Sequence, residues 1–165
     1  MSAVCQTPTA VDSPQTSCSV LRPGIKVPCP PGWNFLREGA DITVITNVQP
    51  TAENHNQVAG PGMATIEVFS KPKNYEDLAR WIWVGRKNVP DGKESKFTVV
   101  NERFGKIEVV SLMPAETSKA GFAGYFFQIG RTPVLVEANY LAQDPKSENY
   151  RAMARWMIER MTTAP

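Results

Sequence analysis

The stretch Gly24-Ile25-Lys26-Val27-Pro28-Cys29-Pro30-Pro31-Gly32-Trp33 constrains the fold of this chain more than any other. Residues 25–28 read as a short strand, the proline–glycine cluster forces a turn, and the tryptophan opens a long series of further short apolar runs. Those runs predict strands at 33–37, 41–48, 63–70, 97–103, 106–113, 122–129 and 133–141. Arg103-Phe104-Gly105-Lys106 and Ile129-Gly130-Arg131-Thr132 have the composition of hairpin connections between antiparallel neighbours. The polar, Gly/Pro-rich segment 49–62 reads as a loop.

Two segments carry a helical period. Asn74 can cap a helix at 75–87, with Glu76 and Asp77 in its first turn and Arg86 and Lys87 at its end, where their charges suit the helix dipole. A second helix follows Asp144-Pro145 and covers 147–161. Strand-rich, helix, strand-rich, helix is not a β-α-β alternation. It predicts an α+β fold, an antiparallel β-sheet sandwiched with helices, in place of a doubly wound nucleotide-binding sheet.

At 165 residues the chain is long enough for one domain with a proper core. Residues 1–22 are rich in Ser, Thr and Pro without an apolar period, which predicts a flexible tail ahead of a single domain at 23–165. A formal charge of +2 is too small for binding nucleic acid by phosphate neutralisation. No apolar run approaches the roughly 20 residues of a transmembrane helix. Residues 1–20 lack the basic and apolar regions of a signal peptide. The expected location is the cytoplasm or the periphery of a membrane complex, or outside the cytoplasm where a leader has been removed. Cys5, Cys18 and Cys29 are odd in number and match no zinc or redox spacing, so reduced thiols are expected, with Cys18 and Cys29 the pair that could bridge.

The chain resembles the PsbP family, extrinsic proteins of photosystem II and their bacterial relatives. The features that carry the resemblance are Gly24-x-x-x-Pro28 running into Pro31-Gly32-Trp33, then the strand at 64–70 leading into the first helix. The paired strands at 97–113, the hairpin at 122–141 and the closing helix complete a match over residues 23–162. The same sandwich is similar to bacterial lipoprotein and secretion-chaperone domains and to a Ran-binding nuclear-import factor. The resemblance implies a PsbP-like domain without catalytic residues or cofactor, an accessory subunit that docks onto a larger protein complex such as a photosynthetic reaction-centre assembly.

The residues themselves offer little chemistry. His55 is the sole histidine, in the polar run Glu53-Asn54-His55-Asn56, and a solvated loop histidine explains it. Neither a Gly-x-Ser-x-Gly elbow nor a phosphate-cradling glycine loop occurs, so no catalytic or metal site is assigned. The aromatic residues are more informative. On a helical wheel Tyr75, Leu78, Trp81, Ile82 and Gly85 share one face, whereas Trp83 lies about 140° from Leu78, among Glu76, Arg80 and Lys87. Trp83 is therefore either a docking anchor or a side chain packed under the tail or a loop. In the closing helix Tyr150, Met153, Ala154, Met157, Ile158 and Met161 form the buried face, with Trp156 off it. The expected partner-binding residues are Trp83, Arg80, Lys87 and Trp156. The rival reading is a small-ligand carrier or enzyme with a pocket between sheet and helix near His55.

Overall fold

The computed structural model describes residues 17–28, 30–49, 60–70, 77–116 and 118–164. In chain order the elements are β1 (Ser17–Leu21), β2 (Ile25–Pro28), β3 (Asn34–Glu38), β4 (Ile42–Thr46) and β5 (Thr65–Ser70), then α1 (Leu78–Asn88). There follow β6 (Lys93–Asn101), β7 (Gly105–Met113), β8 (Ala120–Ile129), β9 (Thr132–Leu141), α2 (Ser147–Arg160) and β10 (Thr162–Thr163). Seven strands form one sheet in the order β3-β4-β5-β9-β8-β7-β6, and β1-β2-β10 form a smaller one. All their pairings are antiparallel, and the chain has the expected α+β fold.

Alternation along the central strands decides the layers, because successive side chains on a strand point to opposite faces. Val134, Val136 and Ala138 of β9, with Ile66 and Val68 of β5, enter the main core beneath α2 and the small sheet. Leu135 faces the other way, into a second cluster with Leu112, Phe126, Trp81 and Ile82 beneath α1. The two helices thus lie on opposite faces of the large sheet.

The hairpins form where turn chemistry places them. Gly130 begins the two-residue β8–β9 connection with φ 61°, a conformation that costs glycine nothing and other residues strain. At the β6–β7 tip the buried Asn101 side chain folds the turn: its Oδ1 accepts from the N–H groups of Arg103 and Phe104, both at 2.9 Å.

Three expectations are corrected. Residues 17–21, read as part of a flexible tail, form β1, which pairs with β2. The stabilisation is tertiary: Leu21 is fully buried, and the Ser19 hydroxyl hydrogen-bonds that of Thr43 across to β4. The strand expected at 97–103 begins earlier, at Lys93, because the exposed polar residues 93–96 pair along β7 without an apolar pattern of their own. On the first helix Asp77 is itself the N-cap, its Oδ1 accepting from the Arg80 N–H at 2.8 Å, instead of standing in the first turn. Asn74, Tyr75, Glu76, His55 and Cys29 lie outside the described residues.

Candidate functional site

Helix α1 meets the sheet closely because of its composition. Trp81 stands edge-on to Phe126, with ring centroids 6.0 Å apart. A Cβ at Gly85 would lie 2.9 Å from both Leu112 Cδ1 and Phe126 Cζ, so glycine is what allows the helix to sit this near. At the far end Arg86 donates two 2.7 Å hydrogen bonds to the Glu94 carboxylate, tying α1 to β6. That fork raises the Arg86 guanidinium above its ordinary pKa and holds Glu94 below the usual carboxylate range.

The outer face is different. Trp81 is 5% exposed and Trp83 47%. Lys87 Nζ lies 3.8 Å from the centre of the Trp83 ring, and the Arg80 guanidinium carbon lies 5.9 Å from it. A cation over an exposed indole is worth about 0.5–1 kcal/mol, a weak bias that keeps positive charge beside the Trp83 ring. The tail at 1–16 and the loop residues at 50–59 and 71–76, which the other sequence reading would place over Trp83, lie outside the described residues. The structure brings Trp83, Arg80 and Lys87 together on one face.

Trp156 does not join them. It is on α2, across the sheet, and it is half-buried against the main core in place of standing free of it. Helical phase misplaces it because α2 is flanked by β2 as well as by the large sheet, which widens the arc of the helix that is covered. The Arg160 guanidinium caps its ring at 4.6 Å and donates to its carbonyl at 3.3 Å.

Two acidic positions were not singled out from sequence. Asp144, in the turn before α2, is buried and accepts from the N–H groups of Gly62 at 2.7 Å and Lys146 at 2.8 Å and from the Tyr150 hydroxyl at 3.0 Å. These bonds, the one from Lys146 foremost, hold its carboxyl below the usual range. Glu137 stands beside Glu67 in the β5–β9 register and lines a cavity of about 150 Å³ with Trp81, Gly85 and Phe126. Burial first, and then the neighbouring Glu67, pushes its carboxyl up. A glutamate directly after the apolar run Val134-Leu135-Val136 was the available signal for Glu137. Among the described residues no three His, Cys, Asp or Glu side chains converge as metal ligands, and no helix is long and apolar enough to cross a membrane.

No family model and no curated protein matches the chain. Solved structures do. LpqN, involved in cell envelope biogenesis of Mycobacterium tuberculosis, is similar at 19% identity with a TM-score of 0.55, over 93% of this chain and 94% of that one. A protein of Bacteroides thetaiotaomicron VPI-5482 is similar at 10% identity and a TM-score of 0.48, over 86% of this chain and 45% of that one. Cyanobacterial PsbP (CyanoP) of Synechocystis sp. PCC 6803 is similar at 9% identity and a TM-score of 0.47, over 96% of this chain and 98% of that one. At 19% identity the likeness to LpqN is one of fold.

Proposed function

We propose that this chain is a non-catalytic binding domain, an accessory subunit that docks onto a larger protein complex through the outer face of α1. The observation that carries this reading is the Trp83 platform: an indole 47% exposed between two cations. Tryptophan and arginine are the residue types that most often dominate interface energetics. The surrounding Arg80 and Lys87 favour a partner with an acidic rim. A photosynthetic reaction-centre assembly is the finer form of the proposal that the PsbP resemblance suggests.

The test is photo-crosslinking in the producing cell. With a photoreactive residue at position 83, a discrete heavier adduct is expected, absent when the same group replaces the exposed Val100 on β6. Arg80→Glu combined with Lys87→Glu is expected to abolish that adduct. No adduct at position 83, or equal adducts at 83 and 100, would remove α1 from the docking argument. The identity of the crosslinked protein decides whether the assembly is photosynthetic.

A further inference from the structure

Across the sheet from α1, a cleft of about 560 Å³ runs between α2 and the β6–β8 end of the large sheet. Met113 and Arg151 also border a second depression of about 400 Å³. Volumes of this order suit small molecules, which occupy sites of roughly 300–1,000 Å³. The floor is aromatic: Phe97 and Tyr125 meet edge to face with centroids 6.1 Å apart. Beside them the hydroxyls of Ser95 and Ser111 hydrogen-bond each other at 2.7 Å.

The wall is cationic. Arg151 and Arg155 are one turn apart on α2, so they share a face. The Arg155 guanidinium lies 4.5 Å above the Phe97 ring, and Arg151 donates to the Tyr140 hydroxyl at 3.0 Å. Neither forms an ion pair with a carboxylate among the described residues. Glu159, which also borders the cleft, is taken by Arg160 at 3.0 Å, and Glu148 stands at the other end. Each guanidinium has five N–H donors in a planar fork, and one hydrogen bond to Tyr140 leaves most of those of Arg151 unused. Burial pushes the Tyr125 hydroxyl up to about 12 while both guanidiniums pull the other way, so both act on the cleft floor.

We infer that this cleft binds a small organic anion, its phosphate or carboxylate held between Arg151 and Arg155 and its flat apolar part laid beside the Phe97–Tyr125 pair, whose Phe97 ring already carries the Arg155 guanidinium. The two components are complementary. Guanidinium forks match the oxyanion geometry bidentately, and the aromatic floor adds a contact that an inorganic ion lacks. This site is on the opposite face of the sheet from Trp83 and does not depend on the docking role of α1.

The experiment is a titration of the full chain, labelled with nitrogen-15, with phenyl phosphate, inorganic phosphate and benzyl alcohol. Phenyl phosphate is expected to give saturable amide shifts at Ser95, Phe97, Tyr125 and Arg155, with the two half-ligands binding at least several-fold more weakly. In the Arg151→Gln, Arg155→Gln double variant its affinity is expected to fall by about tenfold or more, the scale of one lost charged hydrogen bond. The single variant Arg155→Lys keeps the charge and the fold but not the fork, and is expected to lose several-fold. Absence of saturable shifts would overturn the inference. So would unchanged affinity in folded Arg155→Lys, or shifts confined to Arg80 and Lys87.

Discussion

Trp81 and Trp83 are two residues apart on one helix, yet the first is clamped edge-on against Phe126 and the second carries the ammonium of Lys87 over its open ring. Their roles therefore separate cleanly under mutation. Trp81→Ala is expected to cost about 3–5 kcal/mol of stability, the range for truncating a buried aromatic. Trp83→Ala is expected to leave the melting temperature nearly unchanged while weakening partner binding by about 2 kcal/mol or more. Thermal melts of both variants with one binding isotherm check this. Equal destabilisation by the two substitutions would make Trp83 structural.

Asn101 joins two distant parts of the chain. Beyond folding its own turn, its amide donates to the carbonyls of Ile158 at 2.7 Å and Met161 at 3.0 Å, at the C-terminal end of α2. Those carbonyls belong to the set a helix end leaves without an intrahelical partner. Asn101→Ala leaves them buried without this donor and is expected to cost about 2–4 kcal/mol. Chemical denaturation measures it, and a loss below about 1 kcal/mol would show that water or backbone relaxation replaces the amide.

How much of this was legible in the sequence depended on whether the information was local. The short apolar runs of β5 and β9 and the glycine at 130 specify strands and a hairpin within a few residues, and the structure follows them. The wheel placed Trp83 on the exposed side because α1 turns Trp81, Ile82 and Leu78 to the sheet at β7 and β8, away from position 83. It misplaced Trp156, whose helix has two neighbours. Strand β1 was invisible because Ser17-Cys18-Ser19-Val20-Leu21 owes its order to β2 and Thr43, both supplied from elsewhere in the chain. Arg151 and Arg155 carry no sequence signal of their own, because Phe97 and Ser111, which share their cleft, come from β6 and β7.

Asp144 is expected to dominate a part of the acid sensitivity. Its folded carboxyl is held below the ordinary value, so its contribution is fully present above the usual carboxylate range and fades as pH falls through it. Tyr150 completes the arrangement from the other side: burial and the bond to Asp144 raise its phenol, which stays a donor at neutral pH. Asp144→Asn is expected to lower the melting temperature at pH 7 and to flatten its decline between about pH 5 and pH 3. An unchanged acid slope in the variant would assign that decline to other carboxylates.

Glu137 is expected to show the opposite sign. Burial against α1, with Glu67 next in importance, raises its carboxyl, and a hydrogen bond from Asn139 opposes them only in part. A carboxyl with a raised folded value favours the fold while protonated, below the unfolded value, and loses that contribution as pH rises through the folded one. At pH 7, above the unfolded value, the raised carboxyl therefore costs the fold stability, and Glu137→Gln is expected to melt at a higher temperature than the parent. The difference should shrink towards about pH 4, where the parent is protonated as well. Because Glu67 supplies the second cause, Glu67→Gln should reduce the gain that Glu137→Gln brings, a non-additivity expected of directly interacting neighbours. Melting curves of the four proteins between pH 4 and pH 8 give both results. A Glu137→Gln gain that is the same at every pH would be a packing effect, and a loss at pH 7 would mean that the carboxylate is satisfied where it stands.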